Sequence, residues 1–426
     1  MPNVQKVTSA GLIHALRTEA RAAPPSGIVE AFHYGHNREG IIPLWVGEGD
    51  LPTPNFIHEA ATRSFAAGET FYTNQRGLPE LREEIAAYLA RVYAPQLPVN
   101  GLYSPDRFSV TIGGMHALQI ALRLVAGAGD EAIVITPAWP NFRGALVVTG
   151  SEVVEVPLHF SGAGAGGGWQ LELDRVLHAI TPRTRAIIIN SPSNPTGWTA
   201  SREELASILE IARRRGLWII ADEIYGRFFY AGERAPSFRD LIDADDRVMF
   251  VQTFSKNWAM TGWRLGWLEA PAPLGPIIEN LVQYSTSGVP VPLQRAGIAA
   301  LQHGQDFVAS QVARAKDNRD LLAEALAKTR RAHFAIPAGA FYLFCAFDTT
   351  LDTRTLAFRL VDEARVGIAP GTAFGTGGER FIRMCFARRR EDMTEAARLL
   401  SEWLTGDVSA KHDVTNLAPS PAAAPR

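Results

Sequence analysis

The chain has 426 residues, 46% of them hydrophobic and 20% charged, with 42 lysines and arginines against 44 aspartates and glutamates for a formal net charge of −2. That length allows two or three domains, or one large α/β domain with a smaller companion, and the composition suits a globular chain with a large core, which excludes wholesale disorder. The near-even charge balance, without long runs of one sign, argues against nucleic acid and membrane surfaces as partners.

No apolar run approaches the ~18 residues of a membrane span. The first residues, MPNVQKVTSAGLIHALRTEARAA, lack the apolar core of a signal peptide, so a cytoplasmic location is expected. To about residue 46 the chain reads as a helix, an APPSG breaker and the apolar run IIPLWVG, an arm (1–46) that joins a smaller domain. From SVTIGG onward, short apolar runs alternate with helical ones: VTIGG, MHALQIALRLVAG, EAIVITPAW, FRGALVVTG and SEVVEVPL. Such alternation predicts an α/β fold, a mostly parallel sheet flanked by helices. HFSGAGAGGGWQ reads as a surface loop; DRVLHAITP and SREELASILEIARRRG read as helices, and TRAIIIN, LWIIADEIY, RVMFVQTFSK and WRLGWLEA as strands. These complete a large domain over 47–300.

Beyond residue 300 a long helix, FVASQVARAKDNRDLLAEALAKT, is followed by antiparallel-type strands, AFYLFCAF and RFIRMCFA, and a last helix, EDMTEAARLLSEWL. That is a smaller α+β domain over 301–408. The alanine- and proline-rich end, 409–426, reads as a disordered tail. Cys345 and Cys385 fall inside apolar strands, where free buried thiols are expected.

Polar residues follow three apolar strands directly: AIIIN and SPSNPTG, WIIAD and EIYGR, VMFVQTFSK. Ligands of open α/β sheets bind beyond the carboxyl ends of strands, so Asn194, Asp222 and Lys256 converge on one crevice. A lysine facing a carboxylate, with arginines nearby and a glycine turn opening a helix, suits a phosphorylated cofactor bearing an aldehyde and a ring nitrogen: pyridoxal 5′-phosphate. The turn is IGGMHAL, whose helix N-terminus supplies backbone donors for the phosphate. No metal site is read.

The strings SPSNPTG, ADEIYGRF, TFSKNWAMTGWRLGW, PAGAFYLF and FIRMCFA, in this order, resemble a class I/II aminotransferase of the fold-type I pyridoxal-phosphate enzymes. The resemblance runs from VGEGDLPTP near residue 47 to about residue 405. It implies a seven-stranded-type sheet and ping-pong transfer of an amino group from an α-amino acid to a 2-oxo acid, in a homodimer with shared active sites. Lys256 then resembles the lysine that holds the cofactor and moves the substrate α-proton, and Asp222 the partner of the ring nitrogen. Tyr225 and Asn194 resemble the pair that hydrogen-bonds the phenolic oxygen, and Trp139 the aromatic residue stacked on the ring. Phosphate ligands would be Gly114, Met115, Thr253 and Arg264, with Ser255 as an addition and Tyr72 arriving from the neighbouring subunit. Arg383 matches the clamp for the substrate carboxylate, a task suited to a planar bidentate donor. Gly47 matches the position whose backbone approaches that carboxylate, and Trp139 and Asn194 would also face the substrate.

Departures are confined to GEGD, where the family more often has a proline, and a longer glycine-rich loop near residue 165. The same residues would also serve a lyase or an oxidase. A non-catalytic ligand sensor would need a DNA-binding module of roughly 70 residues ahead of VGEGD, where about 46 precede it without a helix-turn-helix pattern. Met115, Trp139, Phe142 and Tyr284 are read as walls for an apolar or aromatic side chain.

Overall fold

The structure is a computed structural model that describes residues 9–93, 102–162 and 167–406. The tail expected at 409–426 lies outside the described residues, as does the middle of the glycine-rich loop.

Seven strands form the large sheet: β1 (Phe108–Thr111), β2 (Glu131–Thr136), β3 (Glu152–Pro157), β4 (Thr184–Asn190), β5 (Trp218–Asp222), β6 (Val248–Thr253) and β7 (Gly266–Glu269). Their order is β1-β7-β6-β5-β4-β2-β3, parallel except for β7, which runs antiparallel to both neighbours. Strands buried on both faces read as continuous apolar runs because alternate residues serve opposite layers. Ile188 and Ile220 pack with helix α2 (Gly113–Val125), whereas Ile187 and Ile219 pack with Leu205, Ile208 and Leu209 of helix α4 (Arg202–Arg215). Between them in sequence lies helix α3 (Pro140–Thr149).

Helix α4 shows why this segment is helical. Ser201 accepts from the Glu204 amide (3.1 Å) and Glu204 accepts from the Ser201 amide (2.8 Å), a reciprocal cap. Three arginines close its last turn, and Gly216 ends it in a left-handed conformation.

A second sheet, β8 (Ala332–Phe334), β9 (Tyr342–Phe347), β10 (Ala369–Pro370) and β11 (Ile382–Cys385), is antiparallel in the order β8-β9-β11-β10. It packs with helices α5 (Gln305–Lys328) and α6 (Arg390–Thr405) around a core of its own, which includes Leu44 from the arm. Cys345 and Cys385 are buried free thiols within it. Among the described residues no helix is long and apolar enough to cross a membrane.

Two expectations need correction. The arm's first stretch forms two short helices, Ser9–His14 and Thr18–Arg21, while the longer helix α1 (Gly27–Gly35) begins on the glycine that ends APPSG, where Ser26 accepts from the Val29 amide at 3.4 Å. Prolines block a helix behind them but are compatible with one starting ahead, and a serine cap opens it. HFSGAGAGGGWQ is not simply a loop: His159–Phe160 and Trp169–Gln170 pair antiparallel at its base. Trp169 anchors that hairpin by packing its ring 4.9 Å from Phe381.

Behind the site lies a buried ion network. Arg239 donates to Glu223 (2.8 Å) and, through Nε, to Glu269 (3.0 Å), with its guanidinium over the Phe250 ring at 3.8 Å. Glu223 follows Asp222 directly, so the network fixes the turn after β5. Removing one partner of such a group leaves an uncompensated buried charge, so Arg239→Ala should cost about 3–5 kcal/mol. Urea unfolding would measure it; an unchanged midpoint would show the network to be dispensable.

Candidate active site

Strands β4, β5 and β6 end side by side, with Asn190 opposite Asp222 and Asp222 opposite Val251. Asn190 ties the first two ends together. Its amide nitrogen donates to the Asp222 carbonyl (3.1 Å), and its oxygen accepts from the Asn194 amide (2.8 Å). Asp222 is 2% exposed, and burial pushes its carboxyl up to about 7, against the opposing pull of the Ile224 amide and of Lys256.

Lys256, three residues beyond β6, donates to the Gly47 carbonyl at 2.7 Å. Burial brings its ammonium down to about 8, with Cys385 and Glu48 acting in the other direction. Such an amine is partly neutral, and therefore nucleophilic, near neutral pH. A side chain at Gly47 would collide with the Tyr342 hydroxyl, so glycine is needed there for close approach.

The turn from β1 into α2 is made by Gly113 at φ +72°, and a Cβ there would come 2.6 Å from Arg264 Nη2. The first amides of α2 have no partner within the helix, so Gly114 and Met115 offer donors beside the Arg264 guanidinium. The Thr253 hydroxyl donates to that of Ser255 at 2.8 Å. His116 accepts from the Ile112 amide (3.2 Å) and pairs with the Ser285 hydroxyl (2.8 Å). Burial pushes its imidazole down to about 4, so it braces the turn as a neutral group.

Arg383, on β11, is 1% exposed. It donates to the Asn194 side-chain oxygen (3.0 Å) and to the Trp45 carbonyl, and lies over the Tyr342 ring at 4.6 Å. Its Nε is buried without a partner. The Asn194 oxygen being engaged, its amide nitrogen remains to donate into the cavity. Tyr225 and Tyr342 hydroxyls pair at 2.7 Å.

Gly47, Gly114, Met115, Trp139, Asn194, Asp222, Tyr225, Thr253, Ser255, Lys256, Arg264 and Arg383 all line one cavity of about 580 Å³. Two residues expected as walls do not: Tyr284 stands 88% exposed just past the end of its helix, outside the cavity, and Phe142 lies behind it. Tyr72, expected to serve the neighbouring subunit, is 96% exposed. Phe142 packs edge-on behind Trp139, 5.7 Å between centroids. The sequence reading missed Asn190, Tyr342 and the α1 residues Ile28, Val29 and Phe32, all part of the cavity wall.

The donor set fits pyridoxal 5′-phosphate. Helix amides, hydroxyls and a guanidinium suit the phosphate; a buried acid suits the ring nitrogen, an amine of lowered pKa the aldehyde, and the Tyr225 hydroxyl and Asn194 amide the phenolic oxygen. The partnerless Arg383 Nε, buried in the same wall, is a donor available to a carboxylate.

The sequence model of the family described as aminotransferase class I and II matches residues 39–400. The chain is 34% identical to an aspartate aminotransferase of Thermotoga maritima over 86% of its own length and 92% of that protein. It is 31% identical to aromatic-amino-acid aminotransferase 2 of Thermococcus litoralis, covering 90% of this chain and 96% of that one. Its fold is similar to the solved structure of the aspartate aminotransferase from Thermus thermophilus with maleate, with TM-score 0.81 and 31% identity over 91% of this chain and 99% of that one.

Proposed function

The chain belongs to the class I and II aminotransferases, and from that premise we propose that the cavity ending β4, β5 and β6 is its transamination site. It is a transaminase that uses pyridoxal 5′-phosphate to move an amino group from an α-amino acid to a 2-oxo acid by the family's ping-pong scheme. The observation that carries the assignment is the meeting of a partly buried amine, Lys256, a buried acid, Asp222, and a buried guanidinium, Arg383, on one cavity wall.

When bound, the cofactor supplies a conjugated ring that takes up the electron pair left at the substrate α-carbon. Asp222 holds a proton on the ring nitrogen. Lys256 would hold the cofactor through its amine, and the same amine would move the proton at the substrate α-carbon as general base. Tyr225 and Asn194 would donate to the phenolic oxygen, and Trp139, on the same cavity wall, would stack on the ring. Gly114, Met115, Thr253, Ser255 and Arg264 bind the phosphate. Arg383 clamps the substrate carboxylate, held in place by Asn194 and by the rings of Tyr342 and Phe374. Residues 47–300 form the cofactor-binding domain, and 301–408 with the arm 1–46 form the smaller one.

A homodimer is supported by Phe71, Tyr72 and Tyr284, exposed by 84%, 96% and 88%. Their loops adjoin, joined by a Gln75–Gln283 hydrogen bond of 2.7 Å, and exposed aromatic patches mark interfaces. In this reading Tyr72 reaches the phosphate of the other subunit. The buried thiols Cys345 and Cys385 favour a reducing, cytoplasmic setting.

A half-reaction tests the activity. Mixed with an amino acid and no acceptor, the reconstituted protein should lose its bound-aldehyde absorbance while releasing one 2-oxo acid per site, and should regain it on adding a 2-oxo acid. Release of free ammonia, or consumption of oxygen with peroxide formed, would instead point to a lyase or an oxidase. Relatives named for aspartate and for aromatic amino acids stand at similar identity, so kinship alone does not choose the donor.

A further inference from the structure

We propose that the site takes amino acids with apolar side chains, together with the matching 2-oxo acids, and that helix α1 is the element that selects them; this rests on the transaminase reading above. Ile28, Val29 and Phe32 line the same cavity as Lys256, Asp222 and Arg383. At ~3.6 residues per turn these three share one side of α1, while Glu30 and Tyr34 fall on the other. That other side is fastened to the smaller domain. Arg354 donates to Glu30 through Nε at 3.0 Å, the Tyr34 hydroxyl donates to Asp362 at 2.8 Å, and the Tyr34 ring stacks on Phe358 with 4.2 Å between centroids. The helix is thus pinned by its polar face and turns its apolar face to the cavity.

Val46, Met115, Trp139 and Ile224 continue that apolar wall. Cations on the lining, among the described residues, are Lys256, Arg264 and Arg383. Each has work already: the cofactor aldehyde, the phosphate and the substrate α-carboxylate. The remaining ionisable carboxyls on the wall, Glu48 and Asp222, are themselves acidic. A second carboxylate on the substrate would therefore come against Ile28, Phe32 and the half-exposed Val29 with no uncommitted cation among the described lining residues of its own chain to receive it, whereas an apolar side chain gains by burial there.

Two readouts test this on the reconstituted enzyme. Leucine and phenylalanine should exceed aspartate and glutamate in kcat/KM by at least ~10-fold, the scale at which apolar pockets discriminate. In binding, the unreactive monocarboxylate 4-methylpentanoate should outcompete succinate by a similar factor in calorimetric titration. Phe32→Ala should lower kcat/KM for leucine and phenylalanine while sparing alanine, and Ile28→Arg should shift the preference toward aspartate. Preference for aspartate with tighter succinate binding in the unaltered enzyme would overturn the proposal and leave the transaminase reading intact. An equal loss for every donor in Phe32→Ala would reduce α1 to a structural role and overturn its part as selector. If no amino acid of either class discharges the bound aldehyde, both readings fall together.

Discussion

Replacing Lys256 by alanine should lower turnover by about 10⁴-fold or more. A positioned general base contributes about 10²–10⁴ on its own, and the same amine is the covalent anchor, so the two losses compound. Among the described residues Lys256 is the one lysine lining the cavity, and its amine is held at the Gly47 carbonyl, 2.7 Å away. Borohydride reduction of the unaltered enzyme, followed by peptide mapping, should place the cofactor label on Lys256. A label on another lysine would remove it from the site.

The same variant tests the dimer. Tyr72 does not line its own chain's cavity, so a phosphate contact from it must be made across an interface. When Lys256→Ala chains exchange subunits with Tyr72→Phe chains, each hybrid dimer holds one site with both lesions and one with neither. Activity should then rise above that of either parent. No rise, with exchange verified and both parents impaired, would show that Tyr72 serves no neighbouring site.

The strand framework could be read because its cause is local. Apolar runs such as AIIIN and WIIAD stop at a polar residue, and parallel pairing sets those stops side by side, which brings Asp222 beside Asn190. The roles of Lys256, Arg264 and Arg383 came from the resemblance, and the fold carries these side chains to the same cavity. What escaped depends on contacts distant in sequence. Tyr342 sits in YLFCAF, indistinguishable from core until its hydroxyl is seen against Tyr225, 117 residues earlier. Helix α1 is held at the cavity by Arg354 on Glu30 and by Tyr34 on Asp362, partners 324 and 328 residues apart that no local pattern announces. Tyr284 failed as a wall for the opposite reason. An aromatic residue near an apolar helix reads as buried, but the backbone ends that helix at Gln283 and leaves the next side chain in solvent.

Asp222→Asn should keep the fold and lose turnover by several orders of magnitude, because an amide keeps the shape of the carboxyl without the negative charge that holds a proton on the ring nitrogen. The pH dependence of the cofactor-free protein supplies a second test. Burial raises the folded carboxyl from its ordinary 3.8 to about 7. Between about 4 and 7 the folded state therefore keeps a proton that the unfolded chain has released, so stability declines as pH rises through that window. At ~1.36 kcal/mol per unit the decline attributable to this group is roughly 4 kcal/mol. The asparagine variant has no carboxyl to titrate and should lack that slope. Without cofactor it should match the unaltered chain near pH 4 and exceed it in urea resistance at pH 8, although its catalysis is lost. Near-normal turnover would show that Asp222 only caps the turn after β5. A slope that survives the substitution would place the titrating group elsewhere. Gain of stability with loss of function at one residue is the signature expected of a charge held in the core for the sake of the ligand.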